Sequence, residues 1–391
     1  MSTSPEGIAD YGKLAAKAPG DPFEQADPHE DDVVGLFYTS GSTGGPKGVM
    51  LTHRNVFANA MHFCMLSGVN AEWVFLHAAP MFHLADAASV YGLVMMGAAH
   101  CFLSTFEPEA FLKAVEQRRV THSVLVPTMI NMVVNHPAVE RYDTSSLKRL
   151  NYGASPMPLD LLCRAKRILG CEFAQAYGLS EASPILTYLA PEDHTFEDDE
   201  RQYIPVKSGG RPIPGCDVRL VDQDDREVPV GEVGEIVARG PNIMKGYWNR
   251  PDITADTLRG GWLHTGDMGV FDEAGYLYIL DRKKDMIKPG GENVYSPEVE
   301  SAICAHPGVL EAVVIGVPDE KWGEAIKAVV VRRPGCGLTE GTLIEFCRAR
   351  LTHFKCPHSV DFMDELPKGG TGKVQKNVLR ERYQAAKAKR V

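Results

Sequence analysis

The stretch that most constrains this chain is residues 38–48, YTSGSTGGPKG. A short apolar run, Val33 to Tyr38, leads into it as a strand would. Seven small or flexible residues follow, Thr39 to Gly45, and then Pro46, Lys47 and Gly48. Glycines such as Gly41 and Gly44 let backbone approach a ligand closely and turn main-chain N–H groups inward. The hydroxyls of Thr39, Ser40, Ser42 and Thr43 add neutral donors, and Lys47 adds one mobile positive charge. That inventory suits a polyphosphate. It is not the loop of the common NTPases, which ends in Gly-Lys-Ser/Thr, because here a proline precedes the lysine. The plainer reading is a Gly/Ser turn between a strand and a helix, and the rest of the chain has to decide.

Downstream, short apolar runs alternate with longer amphipathic segments. Phe75 to Ala79, Ser123 to Val126, Leu147 to Tyr152 and Glu172 to Ala176 read as strands, while Pro108 to Arg119 and Leu159 to Leu169 read as helices. This alternation predicts βαβ units and a parallel sheet, which holds ligands at the carboxyl ends of its strands. After Pro205 the texture changes to short strands, Val218 to Val221, Gly234 to Ala238 and Tyr276 to Ile279, separated by turns. That predicts a small antiparallel sheet or barrel. A basic turn at Asp281 to Gly291 then opens a second α+β pattern, in which Ser296-Pro297 caps a helix, Val313 to Val317 and Ala328 to Val331 are strands and Thr342 to Leu351 is a helix. The expected class is therefore α/β. A large domain, residues 1–280, carries the parallel sheet and the small antiparallel barrel, and a smaller mobile α+β domain spans 281–391.

Composition excludes some partners. With 41 Lys/Arg against 51 Asp/Glu, the net charge of −10 disfavours nucleic acid. Nine cysteines without a CxxC pair or metal spacing read as reduced thiols of a cytoplasmic protein. No secretory signal opens the chain, and the longest apolar run, Val90 to Ala99, is too short to span a membrane.

Several motifs sit where the predicted sheet would hold a ligand. YGASP at 152–156 and QAYGLSE at 175–181 each follow a strand. Tyr177 offers an aromatic face, Ser180 a hydroxyl and Glu181 a carboxylate suited to a hard cation such as Mg²⁺. Read alone, Tyr-Gly is a turn and Glu181 a surface charge. In GWLHTGD at 261–267, the paired oxygens of Asp267 suit two ribose hydroxyls, although an aspartate in a turn is common. YLYILDRKKDMIKPGGENVYSPEVE follows at 276–300, and PKGGTGKVQK at 367–376.

Together and in this order, these motifs resemble the adenylate-forming enzymes: acyl-CoA synthetases, adenylation domains of peptide synthetases and luciferases. The likeness runs from about Val33 to Arg382 and is nearest in texture to CoA ligases of fatty or aryl acids. It implies that ATP and a carboxylic acid react to an acyl-adenylate and pyrophosphate, with coenzyme A as the second substrate. Loop residues 40–47 would hold the β- and γ-phosphates. Gly153, Ala154, Gln175, Ala176, Tyr177 and Gly178 would border the adenine, with Ser180 beside Glu181, the Mg²⁺ ligand. Asp267 and Arg282 would take the ribose, and Lys284 and Lys288 would lie near the nucleotide or acyl-adenylate. Gly290 and Gly291 would meet the thiol, Asp281 would be the hinge, and Lys373 would be the catalytic lysine. The family usually has Arg where Lys368 and Lys376 stand. His83, in PMFHLAD, matches an acyl-pocket histidine, with a hydrogen-bonded core histidine as the even alternative. Met81, Met95 and Met96 hint at an apolar acid, although methionine is also ordinary core filler.

One departure is the front: 37 residues precede Tyr38, many fewer than the family's habit. The resemblance therefore leads us to expect exposed apolar sheet surface. A late start codon, a truncated product and a decayed paralogue are the competing accounts. Two alternative functions stand beside the ligase: loading of a carrier-protein thiol, and a non-catalytic nucleotide-binding fragment. Homo-oligomerisation, the acid itself and the pathway stay open.

Overall fold

The computed structural model describes residues 15–17, 27–39, 45–195, 204–369 and 374–388. Strand β1 (Val33–Thr39) and strand β2 (Lys47–Thr52) pair antiparallel as a hairpin, so the element that follows β1 is a second strand and not a helix. Helix α1 (His53–Ser67) starts where Thr52 accepts the Asn55 N–H while the Asn55 side chain accepts the Thr52 N–H. That reciprocal cap satisfies two otherwise orphaned donors. Gly68, in the left-handed region, ends the helix.

The main sheet is built from β3 (Val74–His77), β4 (Ala99–Phe102), β5 (His122–Leu125), β6 (Arg149–Gly153), β7 (Glu172–Gly178), β8 (Ile185–Leu189) and β9 (Arg211–Pro212). Its order is β4-β3-β5-β6-β7-β8-β9; the first five are parallel and the last two antiparallel. Helices fill the crossovers: α2 (Leu84–Met96), α3 (Pro108–Arg118), α4 (Pro127–Val134) and α5 (Leu159–Leu169). Helix α5 buries Leu161, Leu162, Ala165 and Leu169, one face of a 3.6-residue period, and stops at left-handed Gly170.

Because side chains alternate across a strand, the sheet has two buried faces. Leu76, Leu150 and Phe173 pack under α3, α4 and α5. Phe75, Ala174 and Tyr188 pack under α1 and α2. The large apolar side chains most open to solvent include Phe57 and Met65 on α1, Val94 on α2 and Tyr38 on β1. Phe102, at the end of edge strand β4, is as exposed as these, so the central sheet also shows apolar surface at its edge.

The small antiparallel unit is an open sheet of β10 (Asp217–Val221), β11 (Gly234–Arg239), β13 (Leu263–Phe271) and β14 (Leu277–Arg282). Strand β12 (Gly246–Tyr247) instead extends the β1–β2 hairpin, and helix α6 (Pro251–Thr257) follows it. The C-terminal domain comprises α7 (Ser296–Cys304), β15 (Val309–Asp319), β16 (Gly323–Arg332), α8 (Glu340–Arg348), β17 (Ser359–Met363) and α9 (Lys376–Ala388). Ser296 does not cap α7. It is the first helical residue after Tyr295, and both its N–H and its hydroxyl donate to Asp281. All nine cysteines are free thiols. Among the described residues no helix is long and apolar enough to cross a membrane.

Candidate active site

The carboxyl ends of β6 and β7 open beside α1 and α2 into a cleft of about 110 Å³. At its mouth Ala154 adopts a φ of 64°, an uncommon left-handed setting for a residue with a side chain. Gly153 and Gly178 border the cleft for a packing reason. A Cβ on Gly153 would sit 2.5 Å from the Ala176 carbonyl oxygen, and one on Gly178 would overlap the Pro184 carbonyl.

Two polar groups flank this mouth. In the first, the Tyr177 hydroxyl donates to Asp267 Oδ2 at 2.8 Å, and Arg282 Nε meets Oδ1 at 2.7 Å. Burial and the neighbouring Asp267 push the Tyr177 phenol far above its ordinary range, so it stays protonated and donating. The Asp267 main-chain N–H donates to Thr265 Oγ1, which itself donates to the Ile236 carbonyl. Asp267 is only 6% exposed. A carboxylate has two acceptor oxygens, the donor-accepting chemistry that a pair of ligand hydroxyls calls for.

In the second group, the Tyr247 hydroxyl donates to Glu181 Oε1 at 2.7 Å, and the Lys47 ammonium lies 5.1 Å from the centre of the Tyr247 ring. Burial, then the Glu181 charge, raise the Tyr247 pKa well above that of a free phenol. The Met244 N–H donates to the Glu181 carbonyl, tying the Ser180–Ala182 turn to the segment that leads into β12. Thr39 pairs with Lys47 across the hairpin mouth. Ser40, Gly41, Ser42, Thr43 and Gly44 lie outside the described residues, as does Lys373. Nothing in the sequence singled out Tyr247; only its place in an aromatic Gly-Tyr-Trp step hinted at an ordered contact.

His83 is the N-cap of α2, its Nδ1 accepting the Ala85 N–H at 3.1 Å, and it lines the cleft. The neutral ring therefore carries its proton on Nε2. Ala176 and Ser180 line the cleft as well. Gln175 does not, since alternation turns it to the face of Phe173. Met81, Met95 and Met96 are not cleft residues either; they are among the exposed hydrophobics.

The remaining candidates belong to the C-terminal side. Lys284 is exposed in the turn after β14. The Lys288 N–H donates to Glu324, and the Gly290 N–H to the Trp322 carbonyl, with Gly291 in the same turn. Lys368 and Lys376 pair with Glu311 at 2.7 Å and Glu300 at 2.8 Å, which explains how lysine serves at both positions.

Among the described residues no three His, Cys, Asp or Glu side chains converge as a metal cage. Magnesium does not need one: it is commonly held by one or two carboxylates together with substrate phosphates, and Glu181 beside the Lys47 hairpin fits that donor set.

Comparison with known proteins gives a consistent picture. Residues 3–248 match the AMP-binding enzyme family and residues 298–373 its C-terminal domain. A feruloyl-CoA synthase of Amycolatopsis is 44% identical over 358 residues, 90% of this chain and 70% of that protein. A medium/long-chain-fatty-acid–CoA ligase of Mycobacterium tuberculosis is 40% identical over 96% of this chain and 65% of its own length. Among solved structures, ATP-bound MatB from Rhodopseudomonas palustris superposes with a TM-score of 0.86 at 34% identity, covering 95% of this chain and 72% of that one. The o-succinylbenzoate CoA synthetase of Bacillus subtilis, solved with ATP and a magnesium ion, gives 0.84 at 31% identity over 95% and 74%.

Proposed function

The chain belongs to the AMP-binding enzyme family, and from that premise we propose how its residues carry the family's reaction. That reaction is ATP-dependent activation of a carboxylic acid to an acyl-adenylate, followed by transfer to coenzyme A. A carboxylate oxygen of the acid attacks the α-phosphorus; the new O–P bond forms as the bond to the bridging oxygen of pyrophosphate breaks. The protein does little covalent work here and contributes mainly position and charge.

Each group then has a task. The hairpin loop from Thr39 to Lys47 receives the β- and γ-phosphates, with Lys47 as the fixed positive end. Glu181, held by Tyr247, takes the Mg²⁺, and the metal supplies charge neutralisation on the phosphates. Asp267, held by Tyr177 and Arg282, accepts the ribose hydroxyls. The acid lies in the cleft between the sheet and α1/α2, with its carboxylate toward His83 and Ala154. Lys373 bridges the acid and the α-phosphate in the first step. In the second, the thiol attacks the activated carbonyl and AMP leaves, with Gly290 and Gly291 beside the thiol's path. Lys373 and the thiol compete for one space, so the C-terminal domain pivots at Asp281 between steps.

The observation that carries this reading is that the Tyr177–Asp267–Arg282 and Glu181–Tyr247–Lys47 groups lie within electrostatic reach of each other, Arg282 feeling both Asp267 and Glu181, beside a cleft lined by Tyr177 and Ser180. The cleft's lining is mostly apolar, which supports a fatty or aryl acid. The test is pyrophosphate release from ATP without CoA across straight-chain and aromatic acids, followed by acyl-CoA formation with soluble CoA. Acid-dependent release in the first assay and thioester in the second are expected. A folded protein that binds ATP but releases pyrophosphate with no acid would overturn the reading.

A further inference from the structure

The cleft has a polar floor. Asn151 lines it from β6, Ser67 from the last turn of α1 and Tyr188 from β8. All three are buried, with 8%, 5% and 9% of their surface exposed. The amide nitrogen and oxygen of Asn151, the Ser67 hydroxyl and the Tyr188 hydroxyl all lack a hydrogen-bond partner among the described residues. Ser67 and Arg149 lie near enough to Tyr188 to oppose the burial that raises its pKa, but neither reaches hydrogen-bond geometry with its hydroxyl. Buried polar groups are normally paired, so four open atoms converging on one cleft need an occupant that pairs them.

We propose that the acid this protein activates carries an uncharged hydrogen-bonding group, a hydroxyl, at the end remote from its carboxylate, and that Asn151, Ser67 and Tyr188 receive it. The proposal rests on reading the cleft as the acid's site. Depth sets the size. Asn151 lies two residues below Gly153 and three below Ala154 along β6, about 7–10 Å down the sheet. That is the reach of one aromatic ring on a short spacer, not of a long alkyl chain. Width agrees: Ala174 and Ala176 on β7 separate Asn151 from Tyr188 on the same face, leaving a slot floored by small side chains.

The charge at this end excludes an ionic group. Arg149 is engaged by Glu172 at 2.8 Å and by the Ser67 carbonyl at 3.0 Å. His122, one strand over, is stacked on Trp73, and burial holds it neutral, with a pKa of about 3. A neutral hydroxyl can donate to the Asn151 oxygen and accept from its nitrogen or from Tyr188. A bare ring or methyl end would leave those atoms unpaired, and a site built for a hydroxyl rejects the analogue that lacks one far more strongly than an apolar pocket rejects an added one.

The experiment uses the full chain and acids matched except at the remote end: 4-hydroxycinnamate against cinnamate, with decanoate as a third arm, each followed by pyrophosphate release. The hydroxylated acid is expected to show a kcat/KM higher by about 10-fold or more. Asn151→Leu should erase or invert that preference while cinnamate is still turned over. Should the leucine variant fail to fold, Tyr188→Phe, which removes one oxygen and nothing else, should reduce the same ratio. Equal kcat/KM for the two arylpropenoates in the unaltered protein would overturn the inference. Release with decanoate but with neither arylpropenoate would also overturn it and leave the proposed reaction standing. Release with no acid would overturn both.

Discussion

The Tyr247 hydroxyl donates to the Glu181 carboxylate at 2.7 Å, joining residues 66 positions apart and setting strand β12, beside the β1–β2 hairpin, against the proposed magnesium ligand. A hydrogen bond to a charged acceptor contributes about 1.5–3 kcal/mol. Tyr247→Phe keeps the ring that faces Lys47 and removes only this bond. Its acid-dependent pyrophosphate release should fall by about 10-fold or more, with half-saturation shifted to higher Mg²⁺. A magnesium titration of initial rates checks this; an unchanged titration would assign Tyr247 to packing alone.

The role proposed for Lys373 separates the two half-reactions. Lys373→Ala should abolish pyrophosphate release from ATP and acid, yet largely retain thioester formation when the acyl-adenylate is supplied with CoA. Equal loss in both assays would contradict two domain poses around one site.

How far the sequence could be read depended on how local each signal was. Helix α5 was predicted at its observed bounds, because its apolar stripe is clean and Gly170 marks its end. Helices α1 and α2 escaped notice. HRNVFANAMHFCMLS mixes apolar with Asn and His on every side, and α2 is apolar nearly all round, so neither shows the one-sided pattern that identifies a surface helix. The β1–β2 hairpin is not legible because GVMLT carries no turn signal of its own. Glu181, Tyr177 and Asp267 stand out as candidates through motifs, whereas Tyr247 and the Asn151 floor depend on contacts between distant strands. No spacing within one sequence encodes those.

Acid stability has a defined origin in His122. Burial, with Arg149 and Lys148 adding repulsion, lowers its pKa from 6.5 to about 3. The unfolded chain therefore takes up a proton between about pH 6.5 and 3 that the folded chain does not. Stability is full above that window and falls as the pH drops through it, by about 1.4 kcal/mol per pH unit for this one group. His122→Gln should lessen the slope of unfolding free energy against pH by about one proton across the window. Urea denaturation at pH 7, 6 and 5 measures it.

Gly178 tests whether packing or ligand approach demands glycine at the end of β7. A Cβ there would overlap the Pro184 carbonyl oxygen and approach Leu186. Gly178→Ala should lower the melting temperature and displace the adjoining Tyr177, weakening ATP binding with it. If glycine served only the nucleotide, ATP binding would fall with no change in melting.

Asp281 tests the pivot. It is buried, its Oδ2 accepts the Ser296 N–H at 2.7 Å and the Ser296 hydroxyl at 2.6 Å, and its Oδ1 accepts the Arg282 N–H. One carboxylate thus binds the last strand of the antiparallel sheet to the first helix of the C-terminal domain. Lys376 on α9 also donates to the Ser296 hydroxyl, so the closing helix depends on the same point. Asp281→Ala leaves three donors without this acceptor and should destabilise the protein by about 2–4 kcal/mol. Asp281→Asn keeps one acceptor oxygen and should cost less. A pivot makes a further demand that a simple staple does not: the domain has to turn in each cycle. Both half-reactions of Asp281→Asn should therefore slow in a fully folded sample held well below its melting temperature. Lost stability with both rates intact would make Asp281 a staple and place the pivot elsewhere in the 283–295 turn.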